Sequence, residues 1–160
     1  MNDSSRRLSL LQRIPPPFAF LVPLLLGLWL EHRLPLLGSH PTWAEGAHWV
    51  GGVLVVLGVA HVLSALALFA RSWTTLIPHH KSAALVTVGA YRWTRNPMYV
   101  GLTLVYVGVS VIVLAVWPLL LLPLPLLIMN FAVIPMEERL LDEVFGPDYA
   151  AYKTRVRRWI

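Results

Sequence analysis

Glu137 is the residue whose type and position most strongly suggest chemistry. It directly follows an apolar stretch that ends at Met136. On a helix with about 100° per residue, Leu140, Leu141 and Val144 fall within about 60° of Glu137, which places its carboxylate in the apolar stripe. A carboxylate in such a place is costly unless it is paired or bound to a ligand.

Two interpretations of Glu137 are open from the sequence. In one, the carboxylate forms a structural ion pair with Arg92, Arg95 or Arg139; in the other, it binds a ligand. Its neighbour Glu138 lies about 100° around the predicted helix, on the flank of the apolar stripe. We expect the Glu138 side chain to be a solvated charge.

The start of another apolar helix is a candidate anion site. Asn96-Pro97 is a helix-start signal, with Asn96 as the N-cap and Pro97 in the first helical position. The free amides and positive end of that helix favour a carboxylate or a phosphate. The alternative is a capped membrane helix whose nearby Arg92 and Arg95 contact lipid phosphates.

Small and aromatic residues surround this helix start. Gly89 permits a tight turn, and Tyr91 and Tyr99 offer aromatic surface with hydroxyl tips. The polar residues that could do chemistry therefore fall in two short segments, 71–99 and 137–160. These segments are separated in the sequence by a mostly apolar stretch, residues 100–136.

Several classes of site are excluded by the residue types. The chain has no cysteine, which excludes disulfides, thiol catalysis, zinc–thiolate sites and iron–sulfur clusters. Its six histidines lack metal-ligand spacing, so we predict no metal site. The sequence has no P-loop and no dinucleotide-binding glycine motif. The net charge of +5 does not form a groove-binding patch, and no nucleic-acid partner is expected.

Apolar helices must position the two polar segments. Of the 160 residues, 57% are hydrophobic and 13% are charged, which is more apolar surface than a soluble core of this size can bury. We predict one domain over residues 1–160, an all-α integral membrane protein with about four transmembrane helices. The predicted spans are residues 14–30, 48–70, 97–117 and 118–136.

Prolines shape the last two predicted spans. Trp117-Pro118 joins them with almost no loop, which predicts a tight helical hairpin. Pro123, Pro125 and Pro135 then break the ladder of backbone hydrogen bonds in the fourth span. Such breaks are tolerated in lipid where neighbouring helices or a cavity satisfy the freed groups.

Basic residues set the predicted orientation. Twelve of the 13 lysines and arginines lie before the first span, between the second and third, or after the fourth. Only Arg33 lies on the other side. The positive-inside rule then puts both termini and both polar segments in the cytoplasm, which is the firmest prediction from the sequence.

A cytoplasmic amphipathic tail is predicted after Gly146-Pro147. Gly146 suits the end of one helix and Pro147 the first turn of the next. One face of this helix carries Tyr149, Tyr152, Val156 and Ile160, and the basic residues around that face are Lys153, Arg155, Arg157 and Arg158. We expect the tail to lie on an anionic membrane surface, with lipids as its partners.

Together, the two polar segments resemble the signature of the isoprenylcysteine carboxyl methyltransferase and phospholipid methyltransferase group. The first motif is Leu85-Val86-Thr87-x-Gly89-x-Tyr91-Arg92-x-x-Arg95-Asn96-Pro97-Met98-Tyr99-x-Gly101. The second is Glu137-Glu138 followed by Phe145-Gly146-x-x-Tyr149-x-x-Tyr152. The resemblance covers about half the chain, with both motifs in the expected order, and the short bacterial members look most similar.

The resemblance implies a multi-pass enzyme of the bacterial inner membrane that uses S-adenosylmethionine without a Rossmann domain and releases S-adenosylhomocysteine. By position, the implied cofactor-binding residues are Ala83, Ala84, Leu85, Val86, Gly89, Tyr91, Asn96, Pro97, Met98, Tyr99 and Glu137. Glu137 and Asn96 are the implied catalytic residues. The helix start at Asn96 would receive the methionyl carboxylate, and Glu137 would bind the amine or the ribose hydroxyls of the cofactor.

Two positions depart from the family pattern. Asn96 stands where the eukaryotic carboxyl methyltransferases have His, and Val133 stands where they have an Arg that meets the substrate carboxylate. We therefore expect a small or lipophilic methyl acceptor, with a carboxylate, amine or thiol as the accepting group. The alternative is a non-enzymatic membrane scaffold or lipid-binding protein that has kept the fold.

Overall fold

Helices make up most of the chain that the structure describes. The computed structural model describes residues 15–37, 42–73 and 85–160, and these ranges contain no strand. The predicted cofactor residues Ala83 and Ala84, and the beginning of the first predicted span, lie outside the described residues. The helices are α1 Pro16–Arg33, α2 Ala44–Trp73, α3 Pro97–Ile112, α4 Val116–Leu121, α5 Pro123–Ile128, α6 Ile134–Phe145 and α7 Pro147–Arg155.

Among the described residues, two stretches are long and apolar enough to cross a membrane. The first is Ala44–Leu68 within α2. The second is Val116–Phe145, in which α4, α5 and α6 follow one another without a loop; we call it the broken helix. The prediction of an all-helical chain is confirmed for the described residues. Four membrane spans stay a prediction, because α3 is shorter and α1 is not among the stretches that pass this test.

Glycines let α2 and α3 pack with their backbones in close contact. A Cβ on Gly51 would lie 2.7 Å from the carbonyl oxygen of Gly108, and a Cβ on Gly58 would lie 2.7 Å from that of Gly101. Each helix spaces its two glycines by seven residues, so both lie on one face. Lipid supplies little hydrophobic drive between helices, and close backbone packing of this kind takes its place. The glycines also fix α2 and α3 as antiparallel.

The turn between α3 and the broken helix lies earlier than the sequence predicted. It consists of residues 113–115, with Leu114 at φ 54°, and the broken helix has already begun when the chain reaches Pro118. Pro118 is accepted there because the first-turn amides of a helix have no partner within it. Tyr106, buried on α3, donates a hydrogen bond of 2.8 Å from its hydroxyl to the Pro118 carbonyl across the hairpin.

Prolines interrupt the broken helix as predicted. α4 ends at Leu121 and α5 begins at Pro123. A π-helical turn, Met129–Val133, then leads into α6, where the Ile134 amide donates to the Met129 carbonyl five residues earlier. Pro135 has no amide for the usual ladder, and the wider turn just before it absorbs the mismatch.

Glu31 ties the end of α1 to the start of the broken helix. Its carboxylate accepts hydrogen bonds from the amides of Val116 at 2.7 Å, Trp117 at 3.1 Å and Leu36 at 2.9 Å. Burial raises the pKa of Glu31, but the backbone amides of Leu36, Trp117, Val116 and Leu37 together outweigh it and lower the pKa below its usual value. The carboxylate thus caps a helix that belongs to another part of the chain.

Replacing Glu31 by glutamine should destabilise the protein at neutral pH by about 1 kcal/mol, the usual cost of losing a helix cap. Because the pKa is lower in the folded state, this contribution is complete above the unfolded pKa of about 4.3 and is lost as the pH falls through the folded value. Thermal unfolding in detergent should show the difference between wild type and Glu31→Gln narrowing below about pH 4. Glu143→Gln, at an exposed position, is the control. A difference in Tm between wild type and Glu31→Gln that stays the same at every pH would contradict the capping role.

Candidate functional site

The site lies where the loop before α3, the end of the broken helix and α7 meet. Leu85 and Val86 lead into it as half-buried residues without regular structure. A 3-10 turn, Gly89–Arg92, follows, and Gly89 has φ 61°, a backbone conformation that favours glycine. A Cβ there would also lie 2.8 Å from Leu68 of α2, so this turn presses against the end of that helix.

Tyr99 and Glu137 join the two polar segments directly. The Tyr99 hydroxyl donates a hydrogen bond of 2.6 Å to Oε1 of Glu137, between residues 38 positions apart. Tyr99 is buried, and Glu137 is half-buried. Burial, and then the charge of the nearby Glu137, raises the pKa of Tyr91. Tyr91, Tyr99 and Glu137 therefore form one cluster, which we call the carboxylate cluster.

The ion-pair interpretation of Glu137 is wrong for the described residues. No described arginine lies within salt-bridge distance of its carboxylate. The Glu137 carboxylate is half-buried, and the partner described for it is the neutral hydroxyl of Tyr99. The carboxylate can accept hydrogen bonds from an ammonium group or from hydroxyl groups of a ligand.

Asn96 occupies the N-cap position of α3, as predicted, but its side chain does not cap the helix. Its Nδ2 donates to the Arg158 carbonyl at 2.8 Å, and its own amide donates to Oγ1 of Thr94 at 3.1 Å. The amides of Tyr99 and Val100 both donate to the Asn96 carbonyl at 3.1 Å. The helix start therefore has fewer free amides than the sequence suggested, and Asn96 is only 9% exposed.

Pro97 and Met98, also predicted to bind the cofactor, sit at this same helix start. Pro97 is in the first turn and fully buried. Met98 is half-buried and packs against the hydrophobic core. Both are therefore structural neighbours of the carboxylate cluster through Tyr99, which follows them directly.

The prediction of a solvated Glu138 is wrong. Its side chain is only 15% exposed and pairs with two arginines. Oε1 of Glu138 lies 3.0 Å from Nη1 of Arg95, and Arg158 donates to both carboxylate oxygens at 2.6 and 3.1 Å. The helical pattern correctly placed Glu138 away from Glu137, but it could not show that another segment covers that side.

The tail packs on the site instead of forming one long interfacial helix. α7 ends at Arg155, and Val156 is extended, so the predicted helical face stops short of Val156 and Ile160. Tyr149 and Tyr152, which should face the membrane surface in that interpretation, are buried at 1% and 4% exposure. The Tyr152 hydroxyl donates to the Tyr91 carbonyl at 2.7 Å, and burial raises the pKa of Tyr152 to about 12.

Residues 156–160, which we call the strap, run beside the loop before α3 without regular secondary structure. The Arg95 amide donates to the Arg157 carbonyl at 2.9 Å. The Arg158 carbonyl accepts from the Thr94 hydroxyl at 3.2 Å, in addition to Asn96. Farther along, the indole Nε1 of Trp159 donates to Oδ1 of Asn130 at 3.1 Å. The strap was not predicted from the sequence, because the residue pattern at 156–160 does not indicate that this segment pairs through its backbone.

An apolar groove of about 710 Å³ adjoins the strap between α3 and the broken helix. Its lining residues are Val100, Thr103, Leu104, Pro123, Leu126, Leu127, Asn130, Phe131, Trp159 and Ile160. Asn130 could have been found from the sequence, because a polar side chain inside a long apolar stretch is a functional candidate by default. Val133, where the family pattern has Arg, is 3% exposed in the hydrophobic core.

No described group of three or more His, Asp or Glu side chains could hold a metal ion. The arrangement offers an anionic oxygen, aromatic faces and an adjacent apolar groove. Such a set can hold a cationic or hydroxyl-bearing ligand beside an apolar one. It supplies no obvious general acid and base pair, so it suits chemistry driven by placement of two reactants.

A family model and a curated protein are both similar to this chain. Residues 47–148 match the family model described as phospholipid methyltransferase. The chain is 36% identical over 121 residues to the cobalt-zinc-cadmium resistance protein CzcN of Cupriavidus metallidurans, covering 75% of this chain and 54% of that protein. The chain thus spans about half the length of this relative. No solved structure matches the chain. Because the family model matches more than half of the 160 residues, the chain belongs to the phospholipid methyltransferase family.

Proposed function

We propose that this chain is a membrane methyltransferase that uses S-adenosylmethionine. The observation that carries the proposal is the carboxylate cluster, in which a half-buried Glu137 is hydrogen-bonded by Tyr99 and lies near Tyr91. Membership of the phospholipid methyltransferase family supports the reaction type. A membrane location is supported by the two apolar stretches long enough to span.

The residues of the cluster fit this cofactor. Glu137 has a second carboxylate oxygen that can accept hydrogen bonds from an amine or from ribose hydroxyls. The ring of Tyr91, which is half-buried, can lie against a sulfonium cation, which aromatic faces attract. The cofactor supplies a methyl group already activated for transfer. The protein then has to bind, orient and partly dry the reactants, and Glu137, Tyr91 and Tyr99 are the residues we assign to binding.

The groove is our proposed site for the methyl acceptor. It is lined almost entirely by apolar side chains and lies on the same α3 helix as Tyr99, beginning at Val100. A lipophilic molecule could enter it sideways from the bilayer, while the cofactor enters from the cytoplasm. The basic residues at this end of the bundle support a cytoplasmic location for it by the positive-inside rule.

A second candidate function is a non-enzymatic scaffold or lipid-binding protein. Two observations favour it: the strap covers Asn96 at the helix start, and Val133 is a core residue where relatives of the eukaryotic type have Arg. In that case the groove would hold a lipid without any transfer reaction.

Thermal unfolding with S-adenosylhomocysteine separates the two candidates. A ligand at 100 times its Kd stabilises the folded state by about 2.7 kcal/mol, so a methyltransferase should show a clear rise in Tm. Adenosine and methionine added separately are the matched controls, since neither spans the whole site. A Tm that stays constant up to millimolar S-adenosylhomocysteine would favour the scaffold.

A further inference from the structure

Glu138 holds together three segments that the sequence separates widely. Its carboxylate bridges Arg95 in the loop before α3 and Arg158 in the strap. The contact with Arg158 uses two parallel hydrogen bonds, the arrangement that gives arginine–carboxylate pairs their geometric specificity. The side chain of Glu138 is mostly withdrawn from water, so salt screens these pairs only weakly.

The strap that Glu138 clamps has contacts on both sides of the proposed site. On one side, the Arg158 carbonyl holds the carboxamide of Asn96. On the other, Trp159 forms part of the groove wall and is bonded to Asn130. Arg158 and Trp159 are consecutive residues, so a shift of one moves the other. Glu138 makes no described hydrogen bond to Asn96 and does not line the groove, so it reaches them through the strap and through Arg95, which directly precedes Asn96.

We propose that Glu138 is a positioning residue, which clamps the strap over the start of α3 and so sets Asn96 and the Trp159 wall of the groove. The proposal rests on the proposed function for its consequence, namely cofactor binding. The clamp itself rests on the ion pairs alone. Asn96 and Thr94 are buried and hydrogen-bonded to the strap, so the strap covers the start of α3.

Glu138→Gln tests the clamp by two readouts on the purified chain in detergent. Hydrogen exchange of the Arg95 amide, which donates to the Arg157 carbonyl, reports release of the strap, and we call it strap exchange. Strap exchange should accelerate about tenfold, because Glu138→Gln weakens the charge-assisted bonds to Arg95 and Arg158. The Kd for S-adenosylhomocysteine should rise by about tenfold as well. Glu143→Gln, an exposed acid on the same helix, should change neither. Unchanged exchange in the strap of Glu138→Gln would overturn the proposal.

Arg158→Gln covers the case in which Glu138→Gln fails to fold. It removes only the strap side of the clamp, leaves the pair between Arg95 and Glu138, and replaces a side chain that is 35% exposed. The same acceleration of strap exchange is expected. A normal exchange rate in this variant would also contradict the clamp.

A double variant separates positioning from a merely structural role. If Glu138 acts through Asn96, Glu138→Gln combined with Asn96→Ala should bind S-adenosylhomocysteine no more weakly than Asn96→Ala alone. Effects that multiply would show that Glu138 acts by another route and would overturn the positioning role. If wild type itself fails to bind, the proposed function and the positioning role both fall, whereas the exchange result still reports on the clamp.

Discussion

Replacing Glu137 by alanine should weaken the binding of S-adenosylhomocysteine by about 10- to 100-fold. Hydrogen bonds to a charged group contribute about 1.5–3 kcal/mol, and the half-buried site strengthens them relative to water. The Tyr99 hydroxyl would also lose its acceptor in this variant. Isothermal titration of the purified protein in detergent measures the change.

Three further variants test separately the charge of Glu137, its hydrogen bond with Tyr99, and the effect of removing an unrelated acid. Glu137→Gln retains an acceptor for Tyr99 but loses the charge, so it should bind between wild type and Glu137→Ala. Tyr99→Phe removes one hydrogen bond and leaves the charge, so its effect should be smaller, about five- to tenfold. Glu143→Ala should bind as wild type does. Wild-type affinity in Glu137→Ala would remove Glu137 from the site.

Replacing each of two adjacent glycines by alanine should change the Tm differently. Gly51→Ala places a Cβ 2.7 Å from a backbone oxygen of α3, whereas nothing lies within 4 Å of the corresponding position on Gly52. Overpacking typically costs about 1–3 kcal/mol, so Gly51→Ala should lower Tm. Gly52→Ala should leave it unchanged or raise it, because alanine favours helix by up to about 1 kcal/mol.

The combined variant Gly51→Ala with Gly58→Ala should have the larger effect. Both side chains push on backbone atoms of the same helix, and the main chain of α3 cannot move aside as a side chain can. We expect a loss of about 3 kcal/mol or more and reduced recovery of folded protein from membranes. Equal stability of Gly51→Ala and Gly52→Ala in thermal unfolding would contradict the close packing of α2 and α3.

The sequence predicted side-chain positions well where the geometry of a single helix determines them. The apolar stripe correctly set Glu137 apart, because a single helix determines which residues share its face. Asn96-Pro97 correctly marked the start of α3 for the same reason. The glycines at seven-residue spacing were also visible in the sequence, and their pairing across α2 and α3 could have been proposed from it.

The sequence failed where a distant segment completes the environment. Glu138 is withdrawn from solvent by Arg158, which lies 20 residues away, and Asn96 is held by a carbonyl 62 residues away. Tyr149 and Tyr152 have an aromatic face that suits a membrane surface or a protein surface equally, so helical pattern alone could not choose. Backbone pairing of the strap depends on carbonyls and amides, which every residue carries.

Transfer of a labelled methyl group tests the central claim most directly. The purified chain, supplied with S-adenosylmethionine carrying a deuterated methyl group and a lipid extract, should produce a lipid species heavier by one labelled methyl in mass spectrometry. Glu137→Ala, at equal amounts of folded protein, should produce far less of it. No labelled product from wild type across lipid, amine, thiol and carboxylate acceptors, or equal product from both proteins, would contradict a methyltransferase built around Glu137.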